Sequence, residues 1–183
     1  MSGGGNTWEP VIRSARPDDL PVLLDIEVSA GACFRQIDMS EIAQDDPGSV
    51  QRLARYQAVG HALVAVDHWD LPVAYLLLDL LDYVFHIEQV SVRAEYARQG
   101  IGRALIEEAA QLAASRQMPA ITLTTFRDVP WNAPYYLRIG FQPLTDSQLT
   151  PGLRRVRQEE GQRGLDRWPR VAMRRVAPRS ARR

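Results

Sequence analysis

The segment with the most chemical content is Val90-Ser91-Val92-Arg93-Ala94-Glu95-Tyr96-Ala97-Arg98-Gln99-Gly100-Ile101-Gly102-Arg103-Ala104-Leu105-Ile106. An apolar strand leads into a polar loop, and two glycines spaced by one residue stand at the mouth of an amphipathic helix. The first turn of a helix offers backbone N–H groups without helical partners and a partial positive charge, which together hold phosphate oxygens. Glycine at Gly100 and Gly102 lets the backbone approach an anion with no Cβ in the way. Arg98 and Arg103 add charge-assisted contacts. A glycine pair alone is also the mark of a loop that needs positive φ before a helix. Two better-known phosphate motifs fail. A Walker-type loop needs Gly-Lys-Ser/Thr, and a dinucleotide fingerprint needs a third glycine where Leu105 stands, after a βαβ unit.

A second segment narrows the reading: Asn132-Ala133-Pro134-Tyr135-Tyr136-Leu137-Arg138-Ile139-Gly140-Phe141. Together the two resemble the signatures of the GNAT superfamily of N-acetyltransferases. The first is the cofactor motif Arg/Gln-x-x-Gly-x-Gly/Ala between the fourth strand and third helix. The second is an asparagine followed by Tyr-x-x-x-Gly-Phe. Gly100 and Gly102 match, whereas Ala97 departs from the leading Arg/Gln position and Arg98 comes one residue late. By element order the resemblance covers roughly Val11 to Val176.

The resemblance implies acetyl-CoA as the acyl donor, with coenzyme A as product. Arg98, Gln99, Gly100, Ile101, Gly102 and Arg103 would hold the diphosphate. Val90, Ser91 and Val92 would bond the pantetheine arm through their main chain, in a wedge where the fourth strand splays from the fifth. The Val90 N–H would polarise the thioester carbonyl. Asn132 would cap its helix or contact the arm.

Acetyl transfer to an amine makes three demands: a proton acceptor for the amine, an N–H donor for the developing oxyanion, and a proton donor for the leaving thiolate. Tyr136 stands five residues before Phe141, the position that in the family lies beside the cofactor sulfur, and a tyrosine hydroxyl is an acid within reach of a thiolate. His86, Glu88, Val90 and Val92 share a strand face by alternation. Glu88 is the first candidate for the base, taking a proton directly or through water, and His86 the second. Phe34, Asp38, Asp128, Trp131 and Tyr135 are candidates for an aromatic and acidic pocket around a cationic amine. Cys33 reads as a small buried hydrophobe rather than a nucleophile.

These groups need a scaffold. Val11 to Ala15 reads as a strand, and Pro17-Asp18-Asp19-Leu20 opens a helix with proline and acids in its first turn. An irregular segment follows from Ala30 to Asp38. After the turn Asp45-Asp46-Pro47-Gly48, a second helix covers Ser49 to Val59. Strands at His61 to Val66, Pro72 to Leu80 and Tyr83 to Val92 are joined by hairpin-length turns. In the helix from Gly102 to Arg116, Leu105, Ile106, Ala109, Leu112 and Ala113 recur at helical spacing. Ala120 to Phe126 is a strand, Asn132 to Arg138 a short helix, and Phe141 begins another strand. Thr150 to Gln162 is a helix, read as solvated because of Glu159-Glu160 and the arginines between Arg154 and Arg167. Arg170 to Val176 is the last strand. The order predicts an α/β (mixed α+β) fold of GNAT type, with a central, mostly antiparallel sheet flanked by helices.

Composition limits the partners. The chain has 183 residues, enough for one domain, expected over 9–177 with a disordered start at 1–8 and a basic tail at 178–183. Basic and acidic side chains number 22 each, so no net field draws the whole chain to nucleic acid or membrane. Apolar runs such as Val73-Ala74-Tyr75-Leu76-Leu77-Leu78 are too short to span a bilayer. A single cysteine excludes an internal disulfide and a multi-cysteine metal site, so no metal is expected and the cytoplasm is the expected location. The acceptor is expected to be a small-molecule amine. A peptide acceptor and a non-catalytic acyl-CoA-binding module are the alternatives, and family analogy allows a homodimer.

Overall fold

A computed structural model describes residues 10–37, 39, 41 and 48–178. The expectations for the first eight residues, the turn at 45–47, Asp38 and the last five residues lie outside the described residues. In chain order the elements are β1 (Val11–Ser14), α1 (Leu20–Gly31), α2 (Val50–Ala58), β2 (Ala62–Val66), β3 (Pro72–Leu81), β4 (Val84–Val92), α3 (Ile101–Ser115), β5 (Ala120–Phe126), α4 (Ala133–Arg138), β6 (Gln142–Pro143), α5 (Pro151–Gln162) and β7 (Arg170–Val176). The strands follow the order β1-β2-β3-β4-β5-β7-β6 in one seven-stranded sheet. β1 runs antiparallel to β2, β4 parallel to β5, and β7 antiparallel to both β5 and β6. This is the expected mixed α/β architecture.

The chain divides into two compact units, residues 1–75 with 91–105, and residues 76–90 with 106–183. In the first, Leu20, Leu23 and Ile26 form the buried stripe of α1 and Leu53 that of α2, and every residue of β2 is buried. The Asp19 carboxylate accepts from both terminal nitrogens of Arg13 on β1, at 2.7 and 3.1 Å, and from the Arg16 N–H at 2.7 Å. Asp19 therefore fastens the start of α1 to β1 instead of capping α1 with its side chain. The segment expected to be irregular after Ala30 is helical to Gly31 and then 3-10 from Ala32 to Ile37.

In the second unit, Ile106, Ala109, Ala110 and Ala113 of α3 are buried, as are Phe85, Ile87, Ile121, Leu123 and Met173 of the strands. The turn between β3 and β4 is Asp82-Tyr83, both at positive φ, the mirror-image geometry that matches the twist of a two-residue hairpin. The strand expected to begin at Phe141 is the short Gln142–Pro143, with Phe141 itself fully buried ahead of it.

Candidate active site

Within the first unit, the glycine turn has the form its sequence predicts. Arg98 and Gly100 both adopt positive φ, 62° and 83°. A Cβ placed at Gly100 would meet nothing within 4 Å, so the space in front of that backbone is open and the glycine serves its conformation. The first helical hydrogen bond of α3 runs from the Ala104 N–H to the Gly100 carbonyl at 3.0 Å. The amides at 101–103 therefore lie ahead of the helical ladder, where an anion can take them. Arg98, Gln99 and Arg103 are exposed around the turn, Ile101 is buried beneath it, and Gly102 is half-buried. The Gln99 side-chain amide donates to the Glu95 carbonyl at 3.3 Å, closing the loop on itself.

Ser91 is buried and Val92 half-buried in the same unit. The Ser91 hydroxyl bonds the Tyr75 hydroxyl, which in turn donates to Glu27 at 3.0 Å. Phe34 lies half-buried in the 3-10 segment. The Cys33 thiol donates to the Ala30 carbonyl at 3.2 Å, and burial pushes it up from its ordinary range. A thiol so held is a poor nucleophile.

Within the second unit, β4 and β5 pair at Phe85 with Ile121, His86 with Thr122 and Ile87 with Leu123. The ladder ends there, although β4 continues to Val92 and β5 to Phe126. Glu88 and Val90 follow the last pair and are half-buried. His86 is only 1% exposed. Its Nδ1 lies 3.0 Å from the Thr122 hydroxyl. Burial pushes its pKa down to about 4, against the pull of Asp79 and Glu160.

Tyr136 sits on α4 with its ring edge-on to Tyr135 and Phe141, centroids 5.4 and 5.6 Å apart. The chain reverses after α4 through Gly140, and the Phe141 N–H donates back to the Tyr136 carbonyl at 3.0 Å. Burial and then the neighbouring Tyr135 push the Tyr136 hydroxyl well above its ordinary pKa, so it holds its proton at neutral pH. Asn132 occupies the N-cap position of α4, and its carbonyl accepts the Tyr136 N–H at 2.9 Å. Its side chain makes no cap and instead donates from Nδ2 to the Thr125 hydroxyl at 2.7 Å, tying α4 to β5. Trp131 is 39% exposed, Tyr135 is half-buried beneath the Arg138 guanidinium, and Asp128 makes an exposed ion pair with Arg127.

The sequence reading passed over one feature of this unit. A cleft of about 480 Å³ lies between the β3–β4 hairpin and α5, lined by Asp79, Glu88, Arg155, Glu159 and Arg163 among others. Glu160, expected on a solvated helix, is buried. It accepts from Arg170 and Arg157, both at 2.6 Å, and from the Thr124 hydroxyl. These donors hold its carboxyl below the ordinary range, although burial alone would raise it. The spacing of Gly152, Val156 and Glu160 places all three on one helical face, a signal for burial that the charge of Glu160 conceals.

Residues 24–141 match the family model described as Acetyltransferase (GNAT) family. The chain is similar in fold to a GNAT-family acetyltransferase from Staphylococcus aureus Mu50, with TM-score 0.70, 14% identity, and 93% of this chain and 100% of that one covered. It is likewise similar to the PaiA N-acetyltransferase of Thermoplasma acidophilum in complex with coenzyme A, with TM-score 0.68, 15% identity, and 92% and 99% covered. The ribosomal-protein-S18-alanine N-acetyltransferase of Escherichia coli aligns with TM-score 0.64, 19% identity, and 94% and 97% covered. The helix-mouth glycines, the early end of the β4–β5 ladder and the Tyr136–Phe141 corner all fall within or beside the matched span, and the chain belongs to the GNAT acetyltransferase family.

Proposed function

We propose that the protein transfers an acetyl group directly from acetyl-CoA to a primary amine, of a small molecule in preference to a protein, within a ternary complex in the cytoplasm. The observation that carries the reading is the mouth of α3, where the amides at 101–103 precede the first helical hydrogen bond and Gly100 leaves the approach open. Those amides, with Arg98 and Arg103, would hold the diphosphate. Backbone groups of Val90, Ser91 and Val92 would bond the pantetheine arm. Acetyl-CoA supplies an activated carbonyl carbon as a thioester.

In the transfer the amine nitrogen bonds to that carbon and the carbon–sulfur bond breaks. The Val90 N–H donates to the carbonyl oxygen. Glu88, half-buried beyond the last β4–β5 pair, takes the amine proton directly or through water. Tyr136 keeps its proton until the sulfur leaves, then donates it. His86 suits the base role less, since it is enclosed and neutral at pH 7.

Calorimetry with acetyl-CoA and a thiol-release assay over amines and short peptides test this. Tyr136→Phe should bind acetyl-CoA as the parent does and lose about a hundredfold in kcat, the scale of general acid catalysis. Unchanged turnover would remove Tyr136 from the mechanism. No heat with acetyl-CoA would end the reading.

A further inference from the structure

Glu88 lines the cleft between the β3–β4 hairpin and α5, beside other charged side chains. Asp79 on β3 and Glu88 on β4 are half-buried on its floor, while Arg155, Glu159 and Arg163 stand exposed at its rim. The rim residues recur every four positions along α5 and its C-cap, so they share one face of the helix. Glu160 also borders the cleft, but its carboxylate is taken by Arg170, Arg157 and Thr124. The floor is thus acidic, and the rim carries two guanidinium groups with the Glu159 carboxylate between them.

The wall is also fixed in place. At the start of α5 the Gly152 N–H donates to the Asp82 carboxylate at 2.8 Å. A Cβ at Gly152 would fall 2.5 Å from Asp82 Oδ2, so a larger residue there would displace the Asp82 carboxylate from this seat. Near its end, Glu160 fastens α5 to Arg170 and Thr124. A cleft of about 480 Å³ has the size of a small-ligand site.

We propose that this cleft receives the acceptor, and that the acceptor is a zwitterionic amine: a free amino acid or similar small molecule bearing a carboxylate as well as the reacting nitrogen. The inference rests on the acetyl-transfer reading and on Glu88 as its base. The ammonium group enters toward Asp79 and Glu88, where partial burial strengthens attraction. The carboxylate meets Arg155 and Arg163, whose planar donor forks fit it. A peptide would bring an uncharged carbonyl in place of the carboxylate and forgo that contact.

The test compares glycine, L-alanine, L-leucine and L-phenylalanine, each with its C-terminal amide and its decarboxylated amine, in thiol release from acetyl-CoA. At least one free amino acid should exceed its own amide and amine by about tenfold in kcat/KM, the worth of a charge-assisted hydrogen bond. Arg155→Ala combined with Arg163→Ala should abolish that preference through KM, with the acetyl-CoA dissociation constant unchanged. Because both arginines are exposed, circular dichroism should show an intact fold. Arg155→Lys should restore part of the preference. Amides or plain amines reacting as well as the acids, or a preference that survives the double variant, would overturn the assignment. Acetyl-CoA bound without turnover of any free amino acid would overturn it too while sparing the donor site. A protein that binds no acetyl-CoA would sink both readings.

Discussion

His86 shows how one buried side chain couples stability to pH. Its ring is enclosed beside the Thr122 hydroxyl, and burial pushes its pKa down to about 4. An unfolded histidine titrates at about 6.5. As pH falls, the unfolded chain gains its proton first, so the contribution of neutral His86 is complete above about 6.5 and is lost progressively toward 4. The full loss is on the order of 3 kcal/mol. Urea midpoints measured at intervals from pH 7 to pH 4.5 should therefore decline, and His86→Gln should flatten the decline. An unaltered slope in the variant would place the titration elsewhere. Sequence alone puts Glu88 ahead of His86 on the face they share, but does not show that one is enclosed and the other half-buried. The distinction comes from Thr122, thirty-six residues away in the chain and brought alongside by the parallel β4–β5 register.

Among the elements, α5 depends on contacts at both ends. Gly152→Ala would drive a methyl group into the Asp82 carboxylate, 2.5 Å from the nearer oxygen. The exposed Asp82 carboxylate would have to swing away and give up its bond to the Gly152 N–H, loosening the start of α5 where it borders the cleft. The expected result is a raised acceptor KM with the acetyl-CoA dissociation constant intact; equal loss of donor binding would contradict the placement of the acceptor. At the other end, Glu160 and Arg170 form a buried pair with side chains 5% and 8% exposed. Arg170→Ala would leave Glu160 with one guanidinium fewer in a buried setting, at about 3 kcal/mol. Since the Glu160 carboxyl is held below its ordinary pKa, that stability is present above the usual carboxylate range and disappears as pH falls through the lowered value. Denaturation midpoints of parent and Arg170→Ala should therefore differ at pH 7 and converge in acid. Most helices and strands were legible because their apolar residues keep one period. α5 was legible as a helix but not as a buried wall, for its inward face carries a glutamate whose partner arrives ten residues later on β7.

For the whole chain, charge gives little help with coenzyme A. Acidic and basic groups balance at 22 each, so attraction to a polyanion has to come from the local arrangement at the mouth of α3. That arrangement was readable from two glycines and an adjoining amphipathic pattern, because phosphate binding at a helix start uses backbone, which local sequence specifies. The acceptor side was not readable in the same way. Asp79, Glu88, Arg155 and Arg163 meet only through the β3–β4 hairpin and the seat of α5, and no local spacing announces such a meeting. The donor reading makes a prediction for the molecule as a unit. A ligand that binds only the folded chain at a hundred times its dissociation constant adds about 2.7 kcal/mol. For a chain of this length that corresponds to a rise of roughly 5–10 °C in Tm. Acetyl-CoA should produce such a rise, and Gly100→Val, which forces a branched side chain into φ 83° in front of the free amides, should cut it sharply. Pantetheine, which lacks the diphosphate, should leave the midpoint of either protein almost unmoved. If pantetheine stabilised the parent as strongly as acetyl-CoA, the anchor would lie in the arm and not at the helix mouth, and the part assigned to Gly100 would have to be given up.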